Sequence, residues 1–90
     1  MSKISNQNQE RIMSNIIATL YNHSPEPLFT SFISKQEARD EEFIKKLLYD
    51  LQKKEMVVLV DKSPEGLKYS RRQRWRLSNK AFDAYQKMQR

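Results

Sequence analysis

The chain contains no cysteine. Disulfides and thiolate zinc sites are therefore excluded, and nothing suggests an extracellular disulfide scaffold. Its only glycine is Gly66, so there is no glycine-rich phosphate loop. Its only histidine, His23, cannot build a zinc site alone, and its place beside Pro25 suggests a loop residue. Glu41 and Glu42 are sequence neighbours rather than facing carboxylates, so no acid–base pair is visible. A nucleophile elbow is missing as well. These absences argue against an enzyme, and no cofactor or metal is expected. The longest apolar run is Met56 to Val60, far short of the roughly 20 residues that span a bilayer. Met1 to Gln9 is polar and lacks the apolar core of a signal peptide. The expectation is a cytoplasmic protein with no membrane partner.

Ninety residues make one domain, 1–90, with 1–9 as a flexible polar start. A domain of this size buries about 60–65% of its unfolded surface, which leaves little room for a second deep site. Its formal charge is +6, unevenly spread. Residues 1–54 carry eight Lys/Arg against seven Asp/Glu, whereas 55–90 carry nine against four. Four arginines fall between positions 71 and 76. Charge concentrated in this way points to a polyanion. Nucleic acid is the commonest such partner; an anionic membrane surface or an acidic protein is the alternative.

Hydrophobic periodicity divides the chain into elements. Ile12, Met13, Ile16, Ile17, Leu20 and Tyr21 form one buried helical stripe, ended near His23 by Ser24-Pro25-Glu26-Pro27. Leu28, Phe29, Phe32 and Ile33 suit a short helix running to about Glu37, although Thr30, Phe32 and Ile33 tolerate a strand equally well. Asp40 predicts an N-cap, with Glu41 and Glu42 at the positive end of a helix dipole. Phe43, Ile44, Leu47, Leu48 and Leu51 then give the clearest apolar stripe, with Lys45, Lys46, Tyr49, Gln52 and Lys53 on or beside the opposite face. At Met56-Val57-Val58-Leu59-Val60 the period changes to that of a strand. Ser63-Pro64-Glu65-Gly66 reads as a turn. Leu67, Tyr69, Trp75 and Leu77 alternate with polar residues as a second strand, which makes one antiparallel hairpin with an exposed middle, Ser70 to Arg74. Ser78 caps a last helix carrying Phe82, Tyr85 and Met88, with Leu77 placed to staple onto Phe82. The fold class is mainly α with a β-hairpin: a three-helix core, a wing and a C-terminal helix. A lone hairpin is marginal, so it must lean on the helices.

From this order the chain resembles the winged helix-turn-helix superfamily, nearest to small prokaryotic regulators of the MarR and related types. Three stretches carry the resemblance. Ile44 through Val57, with Leu48, Leu51, Lys53, Lys54 and Val57, resembles the L-x-x-L-x-x-x-G-hydrophobic passage from recognition helix into wing. Residues 57–77 resemble the wing itself. Trp75-Arg76-Leu77-Ser78-Asn79-Lys80-Ala81 resembles the exit written Y-x-L-T-x-x-G. The sequence departs from the pattern at Glu55 and Ala81, where glycine is common, and it lacks the aspartate-x-arginine pair of MarR-type wings.

The resemblance implies a DNA-binding transcriptional regulator whose third helix reads base edges in the major groove. Lys45, Lys46, Tyr49 and Lys53 are the candidate readers, and Lys35 and Arg39 are candidate phosphate contacts. Asp40, Glu41 and Glu42 crowd the helix start and oppose phosphate there; they are caps turned away, or a Glu accepts from cytosine N4, or that helix faces protein. On the wing, alternation puts Arg72, Arg74 and Arg76 on one face, opposite Trp75 and Leu77. Such a row suits a phosphate backbone or a minor groove, with Arg71, Lys62 and Lys68 adding to it. Trp75 and Tyr69 either stack on the bases of a single strand or pack inward. Phe82, Tyr85 and Met88 either pack within the chain or join Ile4 and Met13 in a homodimer seam. Three readings stay open: a double-stranded DNA binder, a winged-helix protein-interaction module, and a sequence-neutral single-strand binder. No helix combines a basic face with a strongly apolar one, which sets the membrane surface apart as a distant fourth.

Overall fold

The computed structural model describes residues 6–60 and 73–89. The turn at Ser63–Gly66, the strand positions Leu67 and Tyr69, and the basic residues Lys62, Lys68, Arg71 and Arg72 lie outside the described residues, as do Met1–Ser5.

Helix α1 spans Asn6–His23. It begins within the stretch read as a polar start, so Asn6–Gln9 form its first turn. Ile12, Ile16, Ile17 and Leu20 are buried at the predicted spacing. His23 is the last residue of α1 rather than a loop residue, with Nδ1 3.0 Å from the Thr19 carbonyl. Pro25 follows a cis Ser24–Pro25 peptide and the helix goes no further.

The second segment is part strand and part helix, but not as expected: Thr30, Phe32 and Ile33, which tolerate a strand, are helical, and Leu28 and Phe29, expected in the helix, are extended. Leu28–Phe29 is strand β1, and Thr30–Glu37 is helix α2. Helix α3 spans Glu41–Lys53, and Asp40 caps it by accepting from the backbone N–H groups of Glu42 (3.1 Å) and Phe43 (3.3 Å). Ile44, Leu47, Leu48 and Leu51 are buried beneath it. Each such side chain stabilises the fold by roughly 1.5–3 kcal/mol relative to exposure.

Helices α2 and α3 end in the same way. At the first end, the Ala38 N–H bonds the Lys35 carbonyl and the Arg39 N–H bonds that of Ser34; at the second, Glu55 bonds Gln52 and Met56 bonds Leu51. This is the Schellman arrangement, which places a left-handed residue just past the helix. Those residues are Ala38 (φ 55°) and Glu55 (φ 62°). Glycine is the residue that takes this conformation freely, and a side chain costs roughly 1–2 kcal/mol there.

Strands β2 (Val57–Val60) and β3 (Arg74–Leu77) pair antiparallel, as expected for the hairpin. The hairpin is not alone, which corrects the expectation: the sheet has three strands in the order β1-β3-β2. Leu28 lies opposite Trp75 and Phe29 opposite Arg74. Two residues cannot hold a strand conformation by themselves, so β1 exists because β3 offers a second free edge. Trp75, Leu77 and Val57 face inward and are buried with the helical core. Helix α4 (Asn79–Met88) is capped by the Ser78 hydroxyl, which accepts from the Ala81 N–H at 3.1 Å and donates to the Glu55 carbonyl at 2.8 Å. Tyr21 on α1 covers the apolar face of α4, with ring centroids 5.0 Å from Phe82 and 4.7 Å from Tyr85. Of the apolar residues on that face, Met88 stays exposed.

Candidate nucleic-acid interface

The side chains singled out on α3 occupy one exposed surface. Glu42, Lys45, Lys46, Tyr49, Asp50 and Lys53 line a depression along it. Burying the Ile44-Leu47-Leu48-Leu51 stripe forces this, because residues on the other side of the same helix turn outward. The three-residue turn Ala38–Asp40 before α3 carries Arg39, exposed, and Lys35 is exposed on the last turn of α2.

The carboxylates at the start of α3 have local uses. Asp40 is occupied in capping its own helix, and Glu42 pairs with Lys45 at 3.7 Å. Even so, residues 35–53 carry five basic and five acidic side chains. The helical surface is therefore nearly neutral. Between 62 and 76, six basic residues stand against one acidic. The positive field belongs to the strands and their connection.

On β3, Arg74 and Arg76 alternate with buried Trp75 and Leu77. Arg74 is half-buried rather than part of an exposed middle, because its guanidinium carbon lies 5.4 Å from the Phe29 ring centroid on β1. Arg76 is half-buried too, and its Nη1 donates to the Leu77 carbonyl at 2.9 Å. In register, Val60 and Phe29 flank Arg74, and Val58 flanks Arg76. The Arg74 guanidinium itself thus lies over an apolar residue of the outer face.

Trp75 is wholly buried, which decides between its two readings: it packs inward and is not a stacking platform. Its Nε1–H donates to the Thr30 hydroxyl at 2.8 Å, and its alternate neighbours on β3 require the inward direction. Neither Thr30 nor Gln73 stood out from the sequence. The Gln73 carbonyl accepts from the Thr30 N–H (3.1 Å) and hydroxyl (3.3 Å), while its Nε2 donates to the Tyr49 hydroxyl at 2.7 Å. A glutamine among arginines reads as a solvated spacer, and no local pattern links it to a tyrosine 24 residues earlier.

Among the described residues, no cluster of His, Asp or Glu suits a metal ion, and no helix is long and apolar enough to cross a membrane.

No protein-family model matches the chain, and no curated protein sequence does. Solved structures do match. A Staphylococcus aureus MepR–DNA complex superposes with a TM-score of 0.74 at 19% identity, over 96% of this chain and 62% of that one. A Lactococcus lactis ZitR variant gives 0.70 at 16% identity, over 99% and 56%. A MepR variant from a multidrug-resistant S. aureus clinical isolate gives 0.72 at 18% identity, over 86% and 53%.

The fold is a winged helix-turn-helix, shared with these MepR and ZitR structures.

Helices α2 and α3 are the helix-turn-helix of this winged helix, and β2 and β3 are the strands of its wing. The winged helix spans between about half and two thirds of the solved chains it matches.

Proposed function

We propose that this winged helix binds double-stranded DNA as a sequence-specific transcriptional regulator, with α3 in the major groove and the wing arginines on the backbone or in the minor groove. One observation carries the reading: Lys45, Lys46, Tyr49 and Lys53 line one exposed face of the second helix of the motif. The similar fold of MepR in complex with DNA supports it. The charge distribution divides the labour. A nearly neutral α3 supplies little attraction and is suited to reading base edges, while the basic wing supplies affinity. Occupation of Asp40 in capping weighs against the rival protein-docking role for the start of α3.

Fluorescence anisotropy with a random-sequence duplex and a matched single strand, across a salt series, tests the reading. Tight binding to duplex that falls steeply with salt is expected. Absence of duplex binding at low salt overturns it.

A further inference from the structure

The hydrogen bond from Gln73 to Tyr49 has a direction. Nε2 of Gln73 is the donor and the phenol oxygen the acceptor, at 2.7 Å. The phenol proton is not used in this bond and must point elsewhere. The Tyr49 ring stands nearly perpendicular to that of buried Trp75, at 85° with centroids 5.4 Å apart. The Gln73 backbone is fixed in turn by Thr30, at the first turn of α2. Tyr49 is 38% exposed on the face of α3.

Resting on the DNA reading above, we infer that Tyr49 is a specificity-determining hydrogen-bond donor and that Gln73 is the positioning residue that sets its polarity. In water the bond from Gln73 is worth little. In a desolvated groove it counts for more, since a donor facing a donor is left unmatched. The partner class is an acceptor on a base edge: N7 or O6 of guanine, N7 of adenine, or O4 of thymine. Cytosine presents an amino donor there and is disfavoured. A phosphate oxygen is also an acceptor. The base edge is the target because Lys45 and Lys46 on one side of Tyr49, and Lys53 on the other, flank it along α3 and are suited to the phosphates bordering the groove.

The test is enrichment of randomised duplexes by the wild type, Tyr49→Phe, Gln73→Met and Gln73→Glu. Trp75 emission and the thermal midpoint serve as checks that each variant folds. The wild type is expected to deplete cytosine about two- to ten-fold at one position, the span of a single hydrogen bond. Tyr49→Phe abolishes the depletion and Gln73→Met weakens it. Gln73→Glu provides a carboxylate that accepts the phenol proton and leaves a lone pair facing outward, so cytosine becomes favoured at that position. A merely structural Gln73 would not exchange one base preference for another. An unchanged preference in Tyr49→Phe and Gln73→Glu overturns the inference, as does a uniform loss across all sequences, which assigns Tyr49 to phosphate. Duplex binding without any base preference overturns this inference alone. Absence of duplex binding overturns it together with the DNA reading.

Discussion

Nε1 of Trp75 donates to Oγ1 of Thr30 at 2.8 Å, joining residues 45 positions apart inside the core. The Thr30 hydroxyl donates in turn to the Gln73 carbonyl at 3.3 Å. One threonine thereby ties the start of α2 to the root of the wing. Thr30→Val keeps the shape and removes the acceptor, stranding a buried indole N–H. A loss of about 1–3 kcal/mol is expected, measured by urea unfolding followed through the emission of the sole tryptophan. A change below about 0.5 kcal/mol would remove this bond from the account of stability.

Glu55 and Ala38 hold left-handed conformations that glycine takes more easily. Glu55→Gly and Ala38→Gly should each stabilise the domain by roughly 0.5–1 kcal/mol, the left-handed cost less the extra freedom of an unfolded glycine. Thermal midpoints should rise by about 2–8 °C. Glu55→Ala serves as the control: it removes the weak 4.0 Å contact with Lys80 but keeps a Cβ, and should show no gain.

Wing arginines should separate into two kinds. Replacing Arg71 and Arg72 together by alanine should reduce the salt dependence of duplex binding by about one unit of slope for each phosphate left unneutralised. Arg74→Ala should also destabilise the fold by about 0.5–1 kcal/mol, because its guanidinium rests on Phe29. Chemical denaturation beside a salt titration checks both. An Arg74→Ala variant as stable as the wild type would show that the ring contact contributes nothing.

Asp40 serves the fold and opposes the proposed ligand. Asp40→Ser keeps a capping oxygen and removes a charge, so stability should hold within about 0.5 kcal/mol. Duplex affinity at low salt should rise. Asp40→Ala should gain the same affinity but lose about 1 kcal/mol of stability. Unchanged affinity in both variants would place the N-terminus of α3 away from the duplex.

Trp75 should resist quenching by iodide and by oligothymidylate, since it has no exposed surface. Strong quenching by the oligonucleotide in the folded protein would restore the stacking role that burial excludes.

Much of this architecture was legible in the residues. The α3 stripe, the Asp40 and Ser78 caps, and the inward Trp75 and Leu77 are local: each follows from the period of one element and the chemistry of its ends. The basic residues of α3 share one face for the same reason. Strand β1 was not legible, because two residues carry no period and their pairing partners lie 47 and 45 positions away. Glu55 was conspicuous as a departure from a glycine pattern, but only the backbone gives its φ of 62°.

The sequence by itself determined the apolar stripes of the long helices, the change to strand period after α3, and that positive charge gathers in the wing, because side-chain period and charge are properties of neighbouring residues. Tertiary structure alone decided that the sheet has a third strand, that Arg74 lies on Phe29, and that Gln73 orients Tyr49. These depend on contacts between segments far apart in the chain, and hydrogen-bond direction across such contacts leaves no local trace.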